Sequence, residues 1–134
     1  METISESQLS AELQELYLQN KEWMSQLLFL EDESRFFQKL FVDRLFFIGQ
    51  HHSPKQVNLI SESLLALEKR TVSLKNLVIE HQQLLSHILK DPAHFIDIQT
   101  IETHAAITQK IQQLLYLDRM LKTELFAMVE EEKV

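Results

Sequence analysis

Cysteine is absent from this chain of 134 residues, glycine occurs once and proline twice. Without cysteine there are no disulfides, no thiolate-ligated zinc and no thiol chemistry. A single glycine excludes the glycine-rich loops that cradle phosphates. No apolar run approaches the ~20 residues of a membrane-crossing helix; Leu27-Leu28-Phe29-Leu30 and Leu45-Phe46-Phe47-Ile48 are among the longest. The opening Met1-Glu2-Thr3-Ile4-Ser5-Glu6-Ser7-Gln8 has neither the basic nor the apolar stretch of a secretion signal. Positive charge is also scarce. Thirteen basic residues face twenty acidic ones, the net charge is −7, and Lys69-Arg70 is the one adjacent basic pair. Phosphate backbones and anionic lipid reward clustered Lys and Arg, so neither nucleic acid nor membrane is expected as a partner. The expected location is the cytoplasm.

What remains is helix. Gly49 and Pro54 bracket one short break and Asp91-Pro92 marks another. The intervening segments carry apolar residues at alternating steps of three and four, the period of an amphipathic helix. The first seam reads Leu13, Leu16, Asn20, Trp23, Leu27, Leu30, Ser34, Phe37, Phe41, Arg44 and Ile48. The second reads Val57, Ile60, Leu64, Leu67, Thr71, Leu74, Val78, His81, Leu85 and Ile88, with Leu65, Leu77 and Leu84 widening it. The third reads Thr100, His104, Ile107, Ile111, Leu114, Asp118, Leu121, Leu125 and Met128, flanked by Ile101, Leu115 and Phe126.

Local signals place the ends. Thr3 and Glu6 have capping-box spacing, as do Ser53 and Gln56 around Pro54. Gly49 stands where a left-handed residue closes a helix. The residue before Pro92 avoids helical backbone, and both Asp91-Pro92 and Asp97 can open the last helix. Anions at a helix C-terminus oppose the dipole, so Glu130-Glu131-Glu132 is expected to fray. The predicted helices cover about 3–48, 54–90 and 92 or 97 to 131 of a single domain. Short connections make neighbouring helices antiparallel. The expected fold is all-α: an elongated antiparallel up-down-up three-helix bundle with coiled-coil-like heptad packing.

The two turns set a register. With Ile48 facing Val57, Ser34 lies opposite Thr71. With Ile88 facing the start of the third helix, His81 lies close to His104, at the height of Trp23 and Met24. Paired imidazoles on facing helices can ligate zinc, iron or copper, and Glu80 and Glu102 stand near in height. The Glu-x-x-His and His-x-x-x-His spacings of helical metal sites are both missing, so no cofactor is expected. The leading expectation is two neutral histidines bonded to each other, to Trp23 or to water. Because two close imidazoles resist joint protonation, the pair can also make stability depend on pH.

Arg44 on the seam is expected to snorkel toward Glu62. Asp118 is expected to meet Lys122 one turn on, or Lys39 across the interface. His51, His52, His87 and His94 lie at the turns without acidic neighbours at ligand spacing. Catalysis needs a nucleophile, a base and an orienting group converging on a cleft. No such set is legible, and a non-enzymatic protein is expected.

Aromatic residues are unevenly spread. Six of the eight phenylalanines fall in the first segment. Phe37 and Phe41 occupy its seam, while Phe29, Phe36, Phe46 and Phe47 spread beyond it with Leu28, Val42 and Leu18. A stripe this wide needs neighbours on more than one side, and an exposed aromatic patch is commonly an interface. The expected function is therefore a helical interaction or scaffold module. It self-associates, most simply as a homodimer, through Phe29, Phe36, Phe46, Phe47, Leu28 and Val42, or it takes another protein's amphipathic helix. The alternative is a small metal- or ligand-binding bundle using His81 and His104.

Overall fold

The computed structural model describes residues 2–91, 93 and 95–130, with side chains from position 11 onward. The described residues form four helices and no strand: α1 (Glu2–Asp43), α2 (Leu45–His51), α3 (Pro54–Lys90) and α4 (Ile98–Glu130). The chain is all-α. Its contacts divide into two compact units, one holding Met1–Leu27 with Ser73–Ile111, the other Leu28–Val72 with Gln112–Val134.

The expected first helix over 3–48 is two helices, because the chain bends at Arg44. Arg44 has φ −104° and ψ 6°, in the sparsely occupied bridge between helical and extended backbone. A straight continuation would hold both Arg44 and Ile48 on the seam, and burying a guanidinium without compensation is costly. The bend resolves the conflict: Arg44 is exposed and Ile48 is fully buried. Arg44 is exposed as a whole, where the snorkelling expected from the seam leaves its stem buried.

Gly49 lies inside α2 rather than closing it. The helix runs on to His51 and is capped by His52, an extended residue at φ −133° and ψ 153° whose N–H donates to the Ile48 carbonyl at 3.0 Å. This reversal needs no left-handed residue. Ser53 then caps α3 as expected: the Gln56 N–H donates to Ser53 Oγ at 3.2 Å and the Ser53 N–H to Gln56 Oε1 at 3.1 Å. Pro54 is the first helical residue and Lys90 the last.

Of the two possible starts for the last helix, the second is used. The Thr100 N–H donates to Asp97 Oδ1 at 2.8 Å and the Thr100 hydroxyl at 2.6 Å. These bonds, the hydroxyl's first, hold the Asp97 carboxyl below its ordinary range. Asp91 instead accepts from the Ala93 N–H at 3.0 Å in a local turn. The Pro92 half of that signal, the Thr3–Glu6 side chains, His94 and the end of the acidic tail fall outside the described residues. α1 begins at Glu2, within one residue of the expected start.

Burial follows the seams. Every seam residue of α3 and α4 is buried except half-buried Val57, and on α1 and α2 only Leu16 and Arg44 depart. In the first unit, Leu13, Leu85 and Ile88 form a core cluster with Leu16, Tyr17, Leu89 and Ile96 packed on it. Asn20, fully buried, donates Nδ2 to the Val78 carbonyl at 3.1 Å, tying α1 to α3. In the second unit, Leu27's successor Leu30 begins a core with Phe37, Phe41, Ile60, Leu64, Leu121 and Leu125. Thr71 returns its hydroxyl to the Leu67 carbonyl at 2.7 Å, the usual way a buried hydroxyl is satisfied within a helix. Ser34, likewise buried, accepts from Gln38 Nε2 at 3.4 Å. Leu65, Leu77 and Leu84, expected to widen the α3 stripe, are exposed; of the residues flanking the α4 seam, Ile101 and Phe126 are exposed and Leu115 is half-buried.

Candidate functional site

In the first unit, α3 and α4 bring His81 and His104 together. His81 Nε2 and His104 Nδ1 lie 3.0 Å apart, and both residues are buried. The ring centroids are 5.2 Å apart, about what two imidazoles show when their nitrogens point straight at one another. On the far side of His104, Nε2 meets Gln19 Oε1 of α1 at 2.8 Å. Trp23 covers the His104 ring at a centroid distance of 4.5 Å. With the Gln19 oxygen as acceptor, His104 Nε2–H donates to it. His104 Nδ1 is then an acceptor and takes the His81 Nε2–H. The chain of bonds ends at His81 Nδ1, which is buried without a hydrogen-bond partner.

Burial favours the neutral form of both rings. It lowers the pKa of His81, and it lowers that of His104 to about 4, with the charge of His81 adding to the effect. Glu80 and Glu102 are exposed. Among the described residues no group of three or more His, Asp or Glu is arranged to hold a metal ion. Tetrahedral ligation needs two nitrogen lone pairs converging at roughly 109°, each about 2.0 Å from the metal. The two imidazoles here instead face each other head-on.

In the second unit, α1 and α2 present the apolar residues that the seam cannot bury. Phe29 is 62% exposed, Phe36 60%, Val42 65% and Phe46 73%; Leu28 and Phe47 are also exposed. Phe46 and Phe47 pair edge-to-face at 5.8 Å. Phe36 leans on the buried Phe37, with centroids 5.5 Å apart. Phe37 in turn meets the edge of Phe126 on α4. Exposure of large apolar side chains is not confined to α1 and α2, since Leu59, Tyr116 and Met120 share it. The density of phenylalanine is what sets the α1–α2 surface apart.

No family model, no curated protein and no solved structure matches this chain. A functional reading therefore rests on these two places and on the charges between them and the core.

The second unit also holds a three-charge cluster. Lys122 Nζ lies 2.7 Å from Glu33 Oε2 and 3.1 Å from Asp118 Oδ2, and 5.7 Å over the Phe37 ring. Burial disfavours the Lys122 ammonium, but hydrogen bonds to Glu33 and Asp118 outweigh it and raise the pKa. Asp118 is raised by burial, against the pull of Lys122. Of the two partners expected for Asp118, Lys122 one turn on is the one bonded to it, and Glu33 of α1 joins as a second anion on Lys122. A shallow groove between α3 and α4, about 280 Å³, is lined by Ala66, Leu67, Leu117, Met120 and Leu121, with Arg70 and Glu124 at its edge.

Gln19 and Glu33 are the two partners that the pattern did not reveal. Both stand directly beside a seam residue. Long polar side chains at such flanks can reach inward or outward, and periodicity does not say which.

Proposed function

We propose that this chain is a non-enzymatic helical interaction module that self-associates as a homodimer through the phenylalanine-rich surface of α1 and α2. One observation carries the reading: Phe29, Phe36, Phe46, Phe47, Leu28 and Val42 are exposed although the seam beside them is buried. Leaving several large apolar side chains exposed forfeits roughly 1.5–3 kcal/mol of burial for each, and a second protein surface recovers it. The reading includes coiled-coil-like packing of the seams within each unit and a cytoplasmic location. Nucleic acid and membrane are not among the proposed partners, and no cofactor is part of it.

Sedimentation velocity over a concentration series tests the proposal. A dimer weakened by Phe29→Glu or Phe46→Glu is the expected result. A monomer at several hundred micromolar would remove the reading.

A second reading has one observation in its favour. The α3–α4 groove offers Leu117 and Met120 between Arg70 and Glu124, a surface suited to another protein's amphipathic helix. Metal or ligand binding at His81 and His104 is the weaker alternative, because the two nitrogens already satisfy each other at 3.0 Å.

A further inference from the structure

The polar layer of the first unit leaves two buried atoms over. Asn20 is fully buried and gives its Nδ2–H to the Val78 carbonyl, while its Oδ1 is buried with no hydrogen-bond partner. His81 is buried as well, and its Nδ1 is the second such atom. In protein interiors nearly every buried polar atom is bonded to protein or to an ordered water, so each of these two calls for a partner.

The two atoms lie at one level of the unit. In an α-helix the Val78 carbonyl points along α3 toward Gln82, whose N–H it accepts. An amide seated on that carbonyl is therefore beside His81, which follows Val78 by three on the same face of α3. The direction of the bond chain makes both atoms acceptors. Gln19 Oε1 takes the His104 Nε2–H, and His104 Nδ1 takes the His81 Nε2–H. A neutral imidazole carries one N–H, so His81 Nδ1 offers a lone pair. Asn20 Oδ1 offers lone pairs too, and two acceptors cannot satisfy each other.

We infer that one buried water is bound between α1 and α3, donating one O–H to Asn20 Oδ1 and the other to His81 Nδ1. Two donors on one small molecule are what two acceptors at one level require, and two partners suffice to hold a buried water. A metal ion fits less well, since no third His, Asp or Glu among the described residues is arranged to complete a ligand set. With the water in place the layer is one continuous chain, Asn20–water–His81–His104–Gln19, which leaves α1, crosses α3 and α4 and returns to α1. The water also fixes where the protons sit. A donor at His81 Nδ1 keeps that ring's own proton on Nε2, and His104 keeps its proton for Gln19. The reversed pattern has no use for a water. There the Gln19 amide turns to donate to His104 Nε2, and a His81 Nδ1–H donates straight to Asn20 Oδ1.

Two measurements on the full chain at pH 7.5 separate these patterns. Long-range proton–nitrogen correlation spectra of the labelled protein read the histidine tautomers, and a crystal structure that resolves ordered waters locates the donor. The expected result is a proton on Nε2 of both His81 and His104, with one water about 3 Å from both Asn20 Oδ1 and His81 Nδ1. Asn20→Leu removes one of the two acceptors, and the water is expected to be lost from its crystal structure. A His81 ring protonated on Nδ1 overturns the inference. So does a direct bond between Asn20 and His81, a water that touches only one of them, or a water that stays in Asn20→Leu. If that variant fails to fold, the tautomers and the bridging water of the natural chain decide the matter alone.

Discussion

His81 Nε2 and His104 Nδ1 are 3.0 Å apart, so one proton serves two buried rings, and the pair is held at its far end by Gln19. The arrangement is complete only when both imidazoles are neutral. Protonating His104 puts a proton on the nitrogen that must accept from His81, and it does so away from water.

Acid should therefore loosen the first unit. The folded-state pKa values of both histidines lie below the ordinary value of 6.5, that of His104 at about 4. The unfolded chain thus binds more protons between those limits. Stability is present in full above about pH 6.5 and falls as pH drops toward about 4. No carboxylate is bonded to the pair from α1, α3 or α4 among the described residues; the α1 side chains that touch it are Gln19 and Trp23, both uncharged, while Lys21 and Glu22 at the same level, and Glu80 and Glu102, are exposed. Urea unfolding between pH 7.5 and pH 4.5 measures the slope. Replacing both rings, as His81→Leu with His104→Leu, is expected to flatten it in that window relative to the natural chain. An unchanged slope in the double variant would assign the acid sensitivity to other groups.

Lys122→Met is expected to destabilise the fold by roughly 2 kcal/mol, less than a fully buried pair would lose, because the lysine remains partly exposed. It leaves Glu33 and Asp118 facing each other without a cation, and it removes the cation from the Phe37 ring. The loss should shrink as pH falls, because burial raises the pKa of Asp118 and its protonation removes one of the two unpaired charges. Thermal unfolding at pH 7 and pH 4 gives both numbers.

Gly49→Ala is expected to stabilise the protein by about 0.5–1 kcal/mol. Gly49 lies within α2, and a Cβ there meets nothing within 4 Å. Alanine in a helix avoids the backbone entropy that glycine loses on folding. Chemical denaturation decides the sign. A destabilised variant would mean that position 49 leaves helical backbone in solution, as the glycine-closure pattern implies.

The seams themselves were readable because a buried helix face repeats every three or four residues whatever lies opposite it. The polar members Asn20, Ser34, Thr71, His81, His104 and Asp118 all proved buried. Their place in the phase outweighed their chemistry. The Ser53–Gln56 box and the Asp97 cap were equally legible, since capping is decided within one turn of chain.

The break at Arg44 and the helical state of Gly49 were not legible. Each depends on a balance between local preference and the packing of Ile48, and local preference alone pointed the other way. Nor could periodicity tell that Gln19 turns toward His104, or that Glu33 joins Asp118 on Lys122. Sequence by itself determined the all-α class, the buried faces and the helix caps, because these follow from backbone period and short-range hydrogen bonding. Tertiary structure alone decided which flanking side chains enter the core and where α1 ends. Those outcomes are set by the space and charge that distant segments bring to one place.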